Sequence, residues 1–390
     1  MTNATVEFRH VSKTYGSQGA AQGAVVDLSL VVPAGEICVL VGPSGCGKTT
    51  SLKMVNRLVE PSSGQVLIDG QDVMKVEVTQ LRRRIGYVIQ QIGLFPHQTV
   101  GENIGTVPRL LGWPKQRTQK RVEELLDLIG LDPARVRNRY PAQLSGGERQ
   151  RVGVARAMAA EPPVMLMDEP FGAVDPIVRE RLQNEFLRLH RALDTTVLFV
   201  THDIDEAIKM GTRVAVMQQG GHLAQYAPPT ELLLHPASDF VSRFVGTDRG
   251  LKRLSLLAVA DVNIEPGVVA RIGESADVAL RRAADAGTNY VLLLDRSDAP
   301  LGWIRVEQLT SDDVLTPDNV DASSPLVHVE TTLRDALSML LASAVQTAVV
   351  VDERGRYQGV LTLDGLGTAF RSDEPGATAD AHGAHSESLR

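Results

Sequence analysis

The sequence predicts an α/β domain built on a parallel sheet, followed by a duplicated α+β module. Three observations carry that expectation. Short continuous apolar runs alternate with helical stretches up to about residue 235. One of those runs leads into a loop with the spacing G-x-x-x-x-G-K-T at residues 42–49. Beyond residue 250, an ungapped similarity recurs at an offset of 57 residues.

The strands come first. Ile37–Val41, Val164–Met167, Val197–Val200 and Val214–Val216 are apolar at successive positions, the pattern of strands covered by helices on both faces. Between them, residues 119–129 place Val122, Leu125, Leu126 and Ile129 at helical spacing. After Gly246–Gly250 the pattern changes. Ala279 and Leu280 match Ala336 and Leu337, Asp295 matches Asp352, Gly302 matches Gly359, and Leu309 matches Leu366. Val291–Leu294 falls on Ala348–Val351, so each copy reads helix, buried strand, Asp-containing turn, second strand, start of helix. The expected division is 1–245, a linker at 246–250, repeat copies at 251–310 and 311–370, and a disordered tail at 371–390 with little to bury.

Composition narrows the function. The 390 residues suit two or three domains, and the 43% apolar and 22% charged contents are ordinary for globular chains. A net charge of −7 argues against a protein that coats nucleic acid. No apolar run approaches the roughly 18 residues of a membrane span, and MTNATVEFRH lacks the plan of a signal peptide. The expectation is a soluble, cytosolic chain that reaches a membrane only through a partner. Cys38 and Cys46 are too few for a disulfide or zinc framework.

The loop Gly42-Pro43-Ser44-Gly45-Cys46-Gly47-Lys48-Thr49-Thr50 has the strand–loop–helix setting of a phosphate cradle. Its glycines let N–H groups turn toward phosphate oxygens at a helix N-terminus. Lys48 would reach the β- and γ-phosphates, and the Thr49 hydroxyl would bind Mg²⁺. Asp168, at the end of a second buried strand, would hold the same ion through water. Glu169 beside it would polarise the attacking water. A third strand ends at Thr201-His202-Asp203, which brings His202 to the same sheet edge and toward the γ-phosphate. Leu144-Ser145-Gly146-Gly147-Glu148 is a second glycine turn opening a helix, expected at 147–160. It reads either as a cap on nucleotide held by another copy or as simple capping by Ser145. Arg82-Arg83-Arg84 reads as a solvated face.

These residues together resemble the ATP-binding-cassette (ABC) ATPases, with LSGGE at 144–148 similar to the family signature and Asp168-Glu169 about twenty residues beyond it. The resemblance implies an ABC-type P-loop NTPase domain with a parallel-sheet core and a helical subdomain. It implies that Tyr15 stacks on adenine and that Gln90, with Gln91 adjacent, touches Mg²⁺ or water and senses a membrane partner. Ser145, Gly146, Gly147 and Glu148 would close over ATP held by the opposite subunit of a homodimer, with Asp175 at the interface. Glu169 and His202 would be the catalytic base and the switch histidine.

Residues 85–97 further resemble the ATPase subunits of bacterial quaternary-amine importers, which move glycine betaine, carnitine, choline or proline betaine. Those subunits carry a C-terminal pair of cystathionine-β-synthase (CBS) domains, and the 57-residue repeat is similar to such a pair. Implied partners are integral-membrane permease subunits and, indirectly, an extracytoplasmic substrate-binding protein, with the chain at the cytoplasmic face of the membrane. The adenine-nucleotide motif of CBS domains is imperfect in both copies. Arg305 and Gln308 stand in the hydroxyl and acid slots of the first; in the second, Thr362 is present and Asp364 falls one place early. Ligand sensing and plain dimerisation therefore both stay open. Other small-solute importers, and soluble ABC ATPases acting on nucleic acid or ribosomes, are the rival classes.

Overall fold

The computed structural model describes residues 4–15, 22–90, 93–172, 175–193, 195–321, 323–343 and 345–371. Gln91 and the expected tail beyond Arg371 lie outside the described residues. The chain divides into two compact units at Thr247/Asp248.

The first unit contains two sheets. The smaller runs Gln22–Val32, Val6–Tyr15, Ser63–Ile68, Gln71–Asp72 in spatial order, all antiparallel. The larger runs His222–Ala227, Arg213–Gln218, Ile37–Val41, Thr196–Thr201, Val164–Asp168, Ile85–Val88. Its strands are parallel except for the outer pairing of His222–Ala227 with Arg213–Gln218. Every residue of Ile37–Val41, Val164–Asp168 and Thr196–Thr201 is buried, which is why these strands read as unbroken apolar runs. On one face Cys38, Leu40, Leu166 and Leu198 share a core with Phe8, Leu28 and Leu30 of the antiparallel sheet. On the other, Phe199 packs on Phe171 with ring centroids 5.9 Å apart.

Element ends differ from the sequence expectation where polar residues extend a pattern. The helix expected at 119–129 is Lys115–Leu128; Pro114 sets its start, and Gly130 in the left-handed region (φ 68°) follows its end. The helix after the phosphate loop begins at Lys48, within the Gly42–Thr50 motif, not after it. The helix expected at 147–160 is Gly146–Met158. Several helices lie between the strands Ile85–Val88 and Val164–Asp168. Asn103 anchors the entry to that region: its amide donates to the carbonyls of Phe95, Gln98 and Thr99 at 3.0–3.1 Å and accepts from Phe95 N–H at 2.8 Å.

The second unit is a structural duplication. Val269–Arg271, Tyr290–Leu294 and Pro300–Arg305 form one three-stranded sheet; Leu326–His328, Thr347–Val351 and Tyr357–Thr362 form the other. In each, the first pairing is parallel and the second antiparallel, and a register shift interrupts the second at Leu293/Leu294 and at Val350/Val351. The helices Ala276–Asp285 and Leu333–Ala342 occupy the same place in their copies. Leu292, Leu294 and Trp303 of one sheet meet Val349, Val351 and Val360 of the other in one core, so each copy buries what the other would expose. A helix, Arg249–Leu254, takes up part of the stretch expected as linker.

Candidate nucleotide site

The phosphate loop is held by close backbone packing. A Cβ on Gly42 (φ 153°) would lie 2.1 Å from the carbonyl oxygen of Met217, and one on Gly47 (φ 95°) would lie 2.2 Å from that of Ala24. Gly47 offers the helix Lys48–Val55 no side-chain cap, so the first-turn N–H groups of Lys48, Thr49 and Thr50 have no partner from it and suit an anion. Pro43, Ser44, Gly45 (φ 80°) and buried Cys46 complete the turn. Lys48 is only 6% exposed. Its ammonium donates to the carbonyls of Gly42 (2.7 Å) and Pro43 (3.0 Å), with Cys46 Sγ at 3.7 Å, and among the described residues no carboxylate pairs with it. A buried cation held by carbonyls, with no carboxylate at ion-pair distance among the described residues, fits a phosphate ligand.

Three strand ends meet beside it. Thr49 Oγ1 donates to Asp168 Oδ1 at 2.9 Å, which brings a hydroxyl and a carboxylate oxygen together at this sheet edge. Burial raises the Asp168 carboxyl above its usual range, and Glu169 adds to this; the Thr49 hydrogen bond and the ammonium groups of Lys53 and Lys48 act against it. A desolvated carboxylate paired with a hydroxyl suits a hard divalent cation. Glu169 sits in the left-handed region (φ 45°), with its N–H donating to Val200 O at 3.0 Å. That conformation costs a non-glycine residue on the order of 1 kcal/mol and turns the side chain out of the strand line. Gln90 Nε2 donates to Glu169 Oε2 at 3.3 Å, and His202 Nδ1 lies 3.3 Å from the same oxygen. Glu169 is thus the point where the segments after Ile85–Val88 and Thr196–Thr201 converge.

Other expected residues stand apart from this cluster. Tyr15 ends its strand 48% exposed, with Lys13 Nζ 5.2 Å from its ring centroid. Ser145 and Glu148 form a capping box: Ser145 Oγ accepts from Glu148 N–H (3.2 Å), and Glu148 Oε2 accepts from Ser145 N–H (2.7 Å). Among the described residues, a Cβ on Gly146 would meet nothing within 4 Å, and one on Gly147 would touch only Val178 at 3.4 Å. Asp175 caps the helix Pro176–Leu193, accepting from Val178 N–H at 3.1 Å.

Three polar contacts escape the sequence pattern. Arg82 is not merely part of a solvated face: it donates to the carbonyls of Asn56 (3.1 Å) and Arg57 (2.8 Å), just past the C-terminus of the phosphate-loop helix. Arg156 donates to Gly93 O at 2.6 Å. Gln183 donates to Glu206 at 3.0 Å. All three join residues distant in sequence, and no local spacing marks them. In the second unit, Arg305 Nε lies 2.5 Å from Asp321, so an ion pair within the chain occupies the first copy's hydroxyl slot.

Fold and loop geometry define a P-loop ATPase with a parallel-sheet core and strand-end acids. More narrowly, the chain belongs to the ABC transporter family, among the ATP-binding subunits of import systems. The ABC transporter profile matches residues 25–172 and the CBS domain profile residues 306–369. The chain is 48% identical over 348 residues to the osmoprotectant import ATP-binding protein OsmV of Salmonella typhimurium, covering 89% of this chain and 91% of that one. It is 40% identical to the glycine betaine/carnitine/choline transport ATP-binding protein OpuCA of Bacillus subtilis, covering 93% and 95%. It is 41% identical to the glycine betaine uptake system ATP-binding protein YehX of Escherichia coli, covering 93% and 98%. Among solved structures, the dimeric post-hydrolysis state of the ATP-binding cassette MJ0796, bound to ADP and Pi, superposes with a TM-score of 0.52. It is 32% identical and covers 57% of this chain and 98% of that chain. No helix among the described residues is long and apolar enough to cross a membrane.

Proposed function

We propose that this chain is the ATP-hydrolysing motor of an importer for quaternary-amine osmoprotectants, docked on membrane permease subunits at the cytoplasmic face and fed by an extracytoplasmic binding protein. The named relatives, matched over about nine-tenths of the chain, support the cargo class. The observation that carries the motor reading is the meeting of Gln90 and His202 on one oxygen of Glu169, beside the Thr49–Asp168 pair.

The phosphate loop, from Gly42 to Thr50, would wrap the phosphates, with Lys48 neutralising the β- and γ-oxygens and Tyr15 stacking on adenine. Thr49 and Asp168 would hold Mg²⁺, Asp168 through water, with Gln90 completing the set; the ion, when bound, supplies charge that stabilises the leaving phosphate. Glu169 would orient and polarise water, and His202 would contact the γ-phosphate. Ser145, Gly146, Gly147 and Glu148 would close over nucleotide held by a second copy, with Asp175 at that interface. Support for this comes from Gly146: no neighbour among the described residues requires a glycine there, whereas a phosphate approaching from a partner would. Ser145 already accepts a hydrogen bond, and its hydroxyl proton remains free to donate to an anion. Permease contact is assigned to the segment after Gln90 and the groove of about 590 Å³ beside it, lined in part by Glu102, Arg109, Trp113, Val122 and Arg137. The duplicated unit, with its imperfect nucleotide motif, would gate transport.

Glu169→Gln tests the motor. Hydrolysis is expected to fall about 10²–10⁴-fold while ATP binding persists and a closed dimer accumulates on gel filtration. Labelled glycine betaine uptake after a salt upshift should fall with it in cells that lack other importers. Near-normal phosphate release would remove Glu169 as the base; intact uptake would remove the cargo.

A further inference from the structure

The helix Pro176–Leu193 starts at Asp175, and the helix Ile204–Met210 starts directly after His202-Asp203. Their facing sides carry polar stripes. Asp203, Glu206 and Lys209 recur at three-residue spacing on the second helix, opposite Arg179, Glu180 and Gln183 on the first. At the rim, Arg179 lies 3.9 Å from Asp203 and Lys209 lies 3.6 Å from Glu180. At the centre, Gln183 Nε2 donates to Glu206 Oε1 at 3.0 Å, and both side chains are buried.

Burial raises the Glu206 carboxyl above its usual range, and the Thr201 hydroxyl acts against that rise. That hydroxyl oxygen accepts from Asp203 N–H at 3.1 Å, and Asp203 in turn accepts from the N–H groups of Asp205 and Glu206. The residues on both sides of His202 are therefore tied to each other and, through Asp203, to the first turn of the Glu206 helix, while the Glu206 carboxylate is tied to the helix led by Asp175. Ala207, Ile208 and Met210 around it are buried and apolar. An apolar side chain at 206 would pack there without the desolvation that an acid brings, so packing alone does not call for glutamate.

We propose that Glu206 and Gln183 are positioning residues that hold the His202 segment in register with the Asp175 turn, linking the γ-phosphate contact of one site to the segment that faces the other. The inference rests on the roles assigned above to His202 and Asp175. A rigid, hydrogen-bonded link between two helix starts transmits a displacement that a greasy contact would let slip.

The test uses the full-length protein and phosphate release against ATP concentration. Glu206→Ala and Gln183→Met are expected to lower kcat about tenfold or more, because a misplaced contact residue is costly even when its chemistry is intact. They should also lower the Hill coefficient with ATP affinity near wild type, and the melting temperature should fall by only about a few degrees, the cost of one buried polar partner left unpaired. Glu206→Gln is expected to keep activity, since its amide oxygen can accept from Gln183 Nε2 as the carboxylate does. His202→Ala is the control for the underlying assignment. If His202→Ala is impaired while Glu206→Ala and Gln183→Met turn over normally, the link is refuted and the His202 role stands. If His202→Ala hydrolyses normally, the assignment beneath the inference falls. If Glu206→Ala does not fold, the near-isosteric Gln183→Met decides in its place. Parallel loss of ATP binding and kcat, with no retention in Glu206→Gln, would mark a merely structural contact and overturn the proposal.

Discussion

Three aspartates stand at the carboxyl ends of buried strands, one in the first unit and two in the second, and their surroundings give them opposite characters. Asp168 ends Val164–Asp168, has the Thr49 hydroxyl on one oxygen, and is pushed above the usual carboxylate range by burial. Asp295 and Asp352 follow Tyr290–Leu294 and Thr347–Val351 and are held below it. Asp295 accepts from the Ser297 hydroxyl and from the N–H groups of Ser297 and Ala299; Asp352 accepts from the N–H groups of Arg356 and Arg354 and from the Arg356 guanidinium. A carboxylate saturated by its own turn is structural. One kept dry beside a phosphate loop, with one hydroxyl on it, has the surroundings that the proposed metal-holding role needs.

The sharpest way to break that contrast is to neutralise each acid. Asp168→Asn is expected to reduce ATP hydrolysis by at least about 10²-fold, through loss of a charge at the proposed metal position. Asp295→Asn and Asp352→Asn should leave it unchanged in the same phosphate-release assay. An equal loss in all three would erase the distinction.

Gly146→Ala carries the next largest effect. Nothing among the described residues opposes the methyl, so the melting temperature should hold. Hydrolysis should drop about tenfold if one phosphate contact worth ~1.4 kcal/mol is lost across the dimer.

The pH dependence of stability sharpens the comparison further. A raised carboxyl makes the folded state bind more protons, so its contribution falls as pH rises through that pKa. Metal-free Asp168→Asn should therefore melt higher than wild type at neutral pH, with the gap closing toward acid. The lowered pair acts in reverse: its stabilisation is present above the unfolded carboxylate range, near pH ~4, and is lost as pH falls through the folded pKa. Asp352→Asn should thus melt lower at neutral pH and converge with wild type in acid, as scanning calorimetry would record.

Arg82→Ala is the smallest change. Removing a cation from beyond the C-terminus of the phosphate-loop helix should cost about 0.3–1 kcal/mol in denaturant unfolding.

Legibility in the sequence follows the same physics. Strands buried on both faces announce themselves, and Ile37–Val41 is readable to the residue because Glu36 and Gly42 bound it. Asp168 and Thr201 belong to strands that run one residue past their apolar stretches, because the ladder continues where the apolar pattern has ended. The duplication is legible because its copies share a register without a gap, including the irregularity before each Asp turn. The loop chemistry around Lys48 and Glu169 is legible from spacing. The cap from Arg82, the grip of Arg156 on Gly93 and the Gln183–Glu206 pair are not, since each depends on segments packing side by side after the chain has folded.

The strand order of the larger sheet bears on how the protein is made. Ile37–Val41 lies between Thr196–Thr201 and Arg213–Gln218, both emerging from the ribosome more than a hundred residues later. The nascent chain therefore holds a finished phosphate-loop sequence with neither neighbouring strand to fix it. Gly42 cannot meet Met217 until that strand arrives. Nucleotide can stabilise only a late stage of synthesis, and a chain stalled before residue 196 would present an unpaired apolar edge to chaperones and proteases instead of a partial ATP site.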